Sequence, residues 1–228
     1  MAQPRVTVSR HADVSVLTMD DGKVNAVNHD LLDELEPALE QAQGQARAIV
    51  LAGRPGVFSG GFDLGIVGHG GPRAEALVER GGRLAARLYG SPVPVVAACT
   101  GHAVALGAVL LLAADLRVGA AGEFSVGLNE VAIGIPVPSS LVALARERLS
   151  SRHVTEAVLL ARLWTPAQAV EVGFLDQVVE PDQVSDRALT LARDLAGRLQ
   201  VDAYRATGRA LRSATAQALE GLAFRPPD

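Results

Sequence analysis

Three segments of this 228-residue chain carry residue types that can do chemistry. The first is Phe58-Ser59-Gly60-Gly61-Phe62-Asp63-Leu64. Its paired glycines let the backbone turn tightly and approach a ligand closely. A helix starting near Asp63 would leave the amide of Phe62 and its neighbours free to donate to an anion or a polarised carbonyl. The second segment, Gly101 to Val109, is rich in small residues and starts another helix, with free amides at Leu106 and Gly107. Two such turns on adjacent strands would aim two N–H groups at one oxygen, which is an oxyanion hole. In the third, Val126 to Pro136, Glu130 is the only charged residue. Apolar surroundings favour the neutral carboxyl and raise its pKa, which suits proton abstraction near neutral pH. Taken singly, each segment also fits a plainer role: a loop without ligand, a tightly packed core helix, a surface turn.

Other chemistries find little support. There is no Gly-x-Ser-x-Gly, and Ser139-Ser140 with His153 reads as a helix cap and a surface residue. His102 has no nearby Ser or Cys partner and reads as structural. The five histidines lack metal-ligand spacing. No GxGxxG or Gly-Lys-Ser/Thr follows the glycines, so neither a dinucleotide site nor a P-loop is indicated. Cys99 is the only cysteine, which excludes an intrachain disulfide framework.

The elements that must position these segments follow from periodicity. Val6, Val8, Val14, Val16 and Met19 alternate with polar residues and predict a hairpin. Asn28 caps a predicted helix to Gln43, with Leu31, Leu32, Leu35 and Leu39 on one stripe. The apolar runs 48–52, 94–99 and 116–119 read as buried strands, with helices at 73–89 and 105–114 between them. Strands separated by helices imply right-handed crossovers and roughly parallel strands. A Gly-rich segment runs from Gly53 to Pro72, and Thr100-Gly101 reads as a turn. Beyond Pro138 the chain reads as helices at 139–149, 152–161, 166–172, 181–199 and 202–219, with a short strand at 176–179.

Composition sets the class. Hydrophobic residues make up 49% and charged residues 20%, which fits a single folded domain and excludes disorder. A net charge of −4 suggests no nucleic-acid surface. The longest apolar run, Ala103 to Ala114, falls short of the ~20 residues a membrane span needs. Met1 to Ser9 has no apolar core of a secretory signal, so a cytoplasmic protein with no membrane role is expected. Lys23 is the only lysine beside 20 arginines.

In chain order the segments resemble the crotonase (enoyl-CoA hydratase/isomerase) family. Lys23-Val24-Asn25-Ala26-Val27-Asn28 resembles its Asn-Ala-Leu-Asn segment, and Phe58 to Leu64 its Phe-Ser-Ala-Gly-Ala-Asp-Leu segment. Gly101 to Asp115 resembles its oxyanion helix, Asn129 to Gly134 its Pro-Glu-x-x-x-Gly turn, and 163–179 its Ala-Glu-Ala … Gly-Leu-Val-Asp segment. The resemblance implies an α/β fold, a crotonase-like superhelix of repeated β-β-α units with a C-terminal helical region. It divides the chain into a core at 1–180 and a helical segment at 181–228 for packing and oligomerisation, in a homotrimer or hexamer.

The resemblance also implies the site. Phe62 and Leu106 supply the oxyanion N–H groups, and Glu130 is the acid–base. An acyl-CoA thioester contacts Lys23, Asn25, Ala26, Gly60, Gly61, Asp63, Leu64, Gly107 and Val109. No separate cofactor is needed, since coenzyme A is part of the substrate, and no metal is expected. The family's hydratases carry a second glutamate where Val109 stands. With an apolar residue at 109, and with Glu130 ending a Gly-Leu-Asn-Glu sequence, the chain resembles the Δ3,Δ2-enoyl-CoA isomerases more. Another crotonase reaction, hydration included, and a non-catalytic acyl-CoA binder are the alternatives. Lys23 lies in the segment that resembles the coenzyme A loop, where an ammonium could meet a phosphate.

Overall fold

The alternating valines form the predicted hairpin, β1 (Val6–His11) and β2 (Val14–Met19), joined at Ala12 with φ 55°. The computed structural model describes residues 3–221. Asn28 caps α1 (His29–Gln45) by accepting from the Leu31 N–H, and the leucine stripe faces the core. β3 (Ala48–Ala52) is buried on both faces, as its unbroken apolar run requires.

From β3 onward one unit repeats. β3 is followed by β4 (Gly56–Ser59), α2 (Leu64–Val67) and α3 (Gly71–Tyr89). β5 (Val95–Cys99) is followed by β6 (Gly101–Val104) and α4 (Leu106–Ala113). β7 (Leu116–Ala120) is followed by β8 (Val126–Gly127), a 3₁₀ turn (Val131–Ile133) and α5 (Ser139–Arg148). The first strand of each unit joins a six-stranded sheet ordered β1-β2-β3-β5-β7-β9, parallel except for the hairpin. The second strand joins a three-stranded parallel sheet ordered β4-β6-β8. This is the repeated β-β-α arrangement that the family resemblance implies.

α6 (Pro166–Val172) and β9 (Gln177–Val179) close the large sheet. α7 (Val184–Arg198) lays Val184, Ala188, Ala192, Leu195 and Ala196 over one sheet face, against Val14, Val50, Val96 and Val118. α8 (Val201–Glu220) packs on α3 and α5. It is tied there by Asp115, which accepts from Arg212, the Tyr204 hydroxyl and the Val95 N–H. The end of the predicted C-terminal segment, 222–228, lies outside the described residues.

Three expectations are corrected. Gly101–Val104 is a strand where a turn is expected, and α4 accordingly starts at Leu106; Gly56–Ser59, inside the Gly-rich segment, is a strand as well. The predicted helix 152–161 is a π-type turn at Thr155–Leu159. The helix predicted over 181–199 begins with a 3₁₀ turn at Pro181–Gln183. Strands of two to four residues containing glycine give no period to read, so the small sheet leaves no hydrophobic signature.

Backbone contact explains those glycines. A Cβ on Gly101 would lie 2.0 Å from the carbonyl oxygen of Gly56 and 2.6 Å from the Val57 nitrogen. A Cβ on Gly53 would lie 2.3 Å from the Val57 oxygen. Gly101→Ala is expected to destabilise by about 1–3 kcal/mol or more through overpacking. Gly44→Ala, on α1 with nothing within 4 Å, is expected to stabilise by about 0.5–1 kcal/mol. Urea denaturation of both variants checks the pair, and equal effects would contradict the packing argument.

Candidate active site

The small sheet brings the three chemical segments to one edge. Ser59, Ala103 and Val126 stand side by side in parallel register, and Ala105 extends the pairing by donating to the Gly127 carbonyl at 3.0 Å. Just beyond the carboxyl ends of the strands lie Phe62 after β4, Leu106 after β6 and Glu130 after β8. Open parallel sheets expose their ligand sites at that edge.

The backbone at Phe62 is fixed from both sides. The Val27 N–H donates to the Gly61 carbonyl at 2.7 Å, and the Asp63 N–H donates to the Val27 carbonyl at 3.0 Å. The Phe62 N–H between them points away from this bridge and has no acceptor among the described residues. Leu106 opens α4, whose first intrahelical bond runs from the Val109 N–H to the Ala105 carbonyl. The Leu106 and Gly107 N–H groups are therefore unpaired first-turn donors. Ala105 holds φ 50° and ψ −125°, a region that costs a non-glycine residue of order 1–3 kcal/mol. Gly61, at φ 86°, lies directly against it. A Cβ there would meet the Ala105 Cβ at 2.8 Å and the Leu106 nitrogen at 3.3 Å. Gly107 abuts the Ser59 carbonyl, which a Cβ would meet at 2.3 Å. The two glycine-lined turns are thus in backbone contact.

Glu130 supplies the acid. It begins the 3₁₀ turn, its carbonyl accepting from the Ile133 and Ile135 N–H groups. Its side chain is buried, with 9% exposure, and Oε2 has no partner among the described residues. Burial pushes the carboxyl above the usual glutamate range, opposed in part by the backbone N–H groups of Glu130 and Asn129. The neighbouring Asn129 Oδ1 is also buried without a partner. A buried carboxylate whose proton affinity is raised, on the same sheet edge as free amides, can take a proton from a carbon whose neighbouring carbonyl the amides polarise.

A sequence profile of the enoyl-CoA hydratase/isomerase family matches residues 9–223. The chain belongs to that family. It is 33% identical over 184 residues to human mitochondrial enoyl-CoA delta isomerase 1, a match covering 78% of this chain. The chain spans 61% of that relative's length. An enoyl-CoA hydratase/isomerase family protein from Pseudomonas syringae superposes with a TM-score of 0.91 at 37% identity, covering 96% of this chain and 94% of the other. An enoyl-CoA hydratase of Mycobacterium marinum gives 0.90 at 37%, covering 96% of each. These neighbours share the crotonase fold.

Within this family fold the sequence-predicted residues divide. Gly60, Gly61, Phe62, Leu106 and Gly107 meet at the turns, and Gly60 donates to the Val24 carbonyl at 2.8 Å. Ala26 donates to Asp21, and Asn25 turns inward. The fully buried Asn25 amide donates to the Met19 and Phe58 carbonyls, and its Oδ1 accepts from the Asp21 N–H. Its backbone carbonyl accepts from the Ser59 hydroxyl, which in turn accepts from the Gly61 N–H. Asn25 thus shapes the oxyanion turn from behind. Asp63 caps α2 by accepting from the Gly65 N–H. Leu64 and Lys23 are exposed, and Val109 is buried on α4. His102 accepts from the Ser125 N–H, and the buried Cys99 thiol is pushed up to about 12, so both are structural.

Asp21, the strain at Ala105 and the bonding role of Ser59 escaped the sequence reading. Asp20-Asp21-Gly22 carried a turn signal for one of them. The others become visible only through contact.

A carboxyl with a raised pKa favours the folded state while protonated. That contribution is complete below the ordinary glutamate pKa of about 4.3 and is lost as pH rises through the higher folded value. Glu130→Gln is therefore expected to melt above the wild type near neutral pH, with the gap closing as pH falls towards about 4. Thermal melts across that range check it, and a gap that widens in acid would contradict the burial of Glu130.

Proposed function

We propose that the protein shifts the double bond of a 3-enoyl-CoA thioester to the conjugated 2-position. The observation that carries this reading is the buried carboxyl of Glu130, whose Oε2 has no partner among the described residues, on the same sheet edge as the free amides of Phe62 and Leu106. The thioester oxygen lies between the two amides. Glu130 takes a proton from C2, the C2–H pair moves into the enolate, and the amides stabilise the oxygen charge. The same carboxyl then returns its proton to C4 as the electrons move back, giving the 2-enoyl-CoA. Coenzyme A enters as part of the substrate, along an edge formed by exposed Val24 and Leu64 and half-buried Ala26, with Lys23 at its charged end.

Apolar Val109 on α4 supports isomerisation, because water addition needs a second group to hold the water. The unpartnered Asn129 Oδ1 favours the competing reading, a hydratase-like reaction with Asn129 as that group. Rates with 3-enoyl-CoA and 2-enoyl-CoA separate the two, by gain or loss of the conjugated absorbance. Isomerisation is expected to exceed hydration, and Glu130→Gln to lower it by about 10²–10⁴-fold. A fully active Glu130→Gln would remove Glu130 as the base. Binding without turnover of either substrate would make the chain a non-catalytic acyl-CoA binder.

The proposed setting is the cytoplasm, where the lone reduced Cys99 fits. No described helix is long and apolar enough to cross a membrane. The exposed Leu159, Leu160 and Leu163 support a homotrimer or hexamer by offering an apolar contact surface. Light scattering after gel filtration is expected to give three or six times the monomer mass, and a monomer would contradict this.

A further inference from the structure

α3 turns an apolar stripe to the core through Ala74, Leu77, Val78, Leu84, Ala85 and Leu88. Gly81 falls on this stripe, one turn after Leu77, where another apolar side chain would ordinarily sit. Its φ is not in the left-handed region, so its backbone does not require glycine. Helix propensity disfavours glycine at an interior position. Space is the remaining reason. A Cβ on Gly81 would lie 2.5 Å from Cζ and 2.6 Å from Cε1 of Phe62, and 3.0 Å from Cδ2 of Leu106. The side chains of both amide donors therefore converge on one notch in α3.

We propose that Gly81 is a positioning residue that seats Phe62 and Leu106 so that their backbone N–H groups meet one oxygen. This rests on Phe62 and Leu106 being the oxyanion pair. Phe62 is gripped twice: its backbone by the bridge to Val27, and its ring by the notch. The ring cannot stay in place if the notch is filled. With the Val27 bridge intact, its displacement turns the Phe62 peptide, and Leu106 moves at the same point. Donors offset by a fraction of an ångström stabilise a developing oxyanion less, because hydrogen bonds weaken steeply with angle.

The test is a double-mutant cycle on the full chain, using Gly81→Ala, Phe62→Leu and the double variant. Two quantities are read: kcat and KM for 3-enoyl-CoA, and the ultraviolet enolate band of bound acetoacetyl-CoA, which reports carbonyl polarisation without turnover. Gly81→Ala is expected to lower kcat about 10-fold or more with a smaller change in KM, and to weaken the enolate band. In the Phe62→Leu background, which lacks the ring edge, the same substitution is expected to change kcat and the band by at most about two-fold. Equal losses in both backgrounds, or a Gly81→Ala protein with wild-type kcat and band, would overturn the proposal. If Gly81→Ala alone does not fold, Phe62→Leu against the double variant carries the decision. A shared band supports the proposal, and a band lost only in the double variant overturns it. A wild type that shows the band but no isomerisation fails the reaction reading alone. A wild type with no band removes the oxyanion pair and this proposal with it.

Discussion

The close approach of two backbones at Gly56 and Gly101 is the constraint on which the rest of the structure depends. It lets β4 and β6 pair directly after tight turns out of the large sheet. Without that approach the second strand of each unit would have no neighbour, and the three turns that follow would diverge. With it, Ser59, Ala103 and Val126 share one register, and Phe62, Leu106 and Glu130 emerge together. The large sheet contributes rigidity. It is covered on one face by α7 and on the other by the main core, so its strands cannot shift to accommodate a misplaced turn.

The site concentrates local costs that the scaffold must offset. Ala105 sits in a backbone region suited to glycine, the amides of Phe62, Leu106 and Gly107 remain unpaired, and one carboxyl oxygen of Glu130 is buried without a partner among the described residues. Each is unfavourable in a resting protein. In the proposed reaction the unpaired amides and the carboxyl gain partners when a thioester oxygen and an adjacent acidic C–H fill the space. The hydrogen-bonded chain from Asn25 through Ser59 to Gly61 keeps one amide aimed while it waits. The same distribution of costs explains why glycines gather here. They stand where backbone meets backbone or ring, as at Gly61, Gly81, Gly101 and Gly107.

Much of this was legible in the sequence. The strands of the large sheet announce themselves as unbroken apolar runs, and α1 and α6 by their caps and stripes. Glu130 was conspicuous as a single charge among apolar residues, and its burial follows. The small sheet was not legible, because Gly101–Val104 and Val126–Gly127 are too short to show alternation and owe their conformation to partners distant in sequence. Asn25 is expected as a ligand contact because it lies in the segment that resembles the family's coenzyme A loop. Only its burial shows that its side chain is spent on Met19 and Phe58. Gly81 lay in an ordinary helix, and its partners Phe62 and Leu106 lie well before and well after it in the chain.

The central claim is that one buried carboxyl carries one proton between two carbons of the same substrate. Tracing a deuterium label from C2 of 3-enoyl-CoA in ordinary water tests it most directly. A proton passed to the buried Glu130 carboxyl is predicted to exchange slowly with solvent, so that part of the label appears at C4 of the product. Product with no label at C4, at any stage of the reaction, would contradict transfer by a single shielded acid.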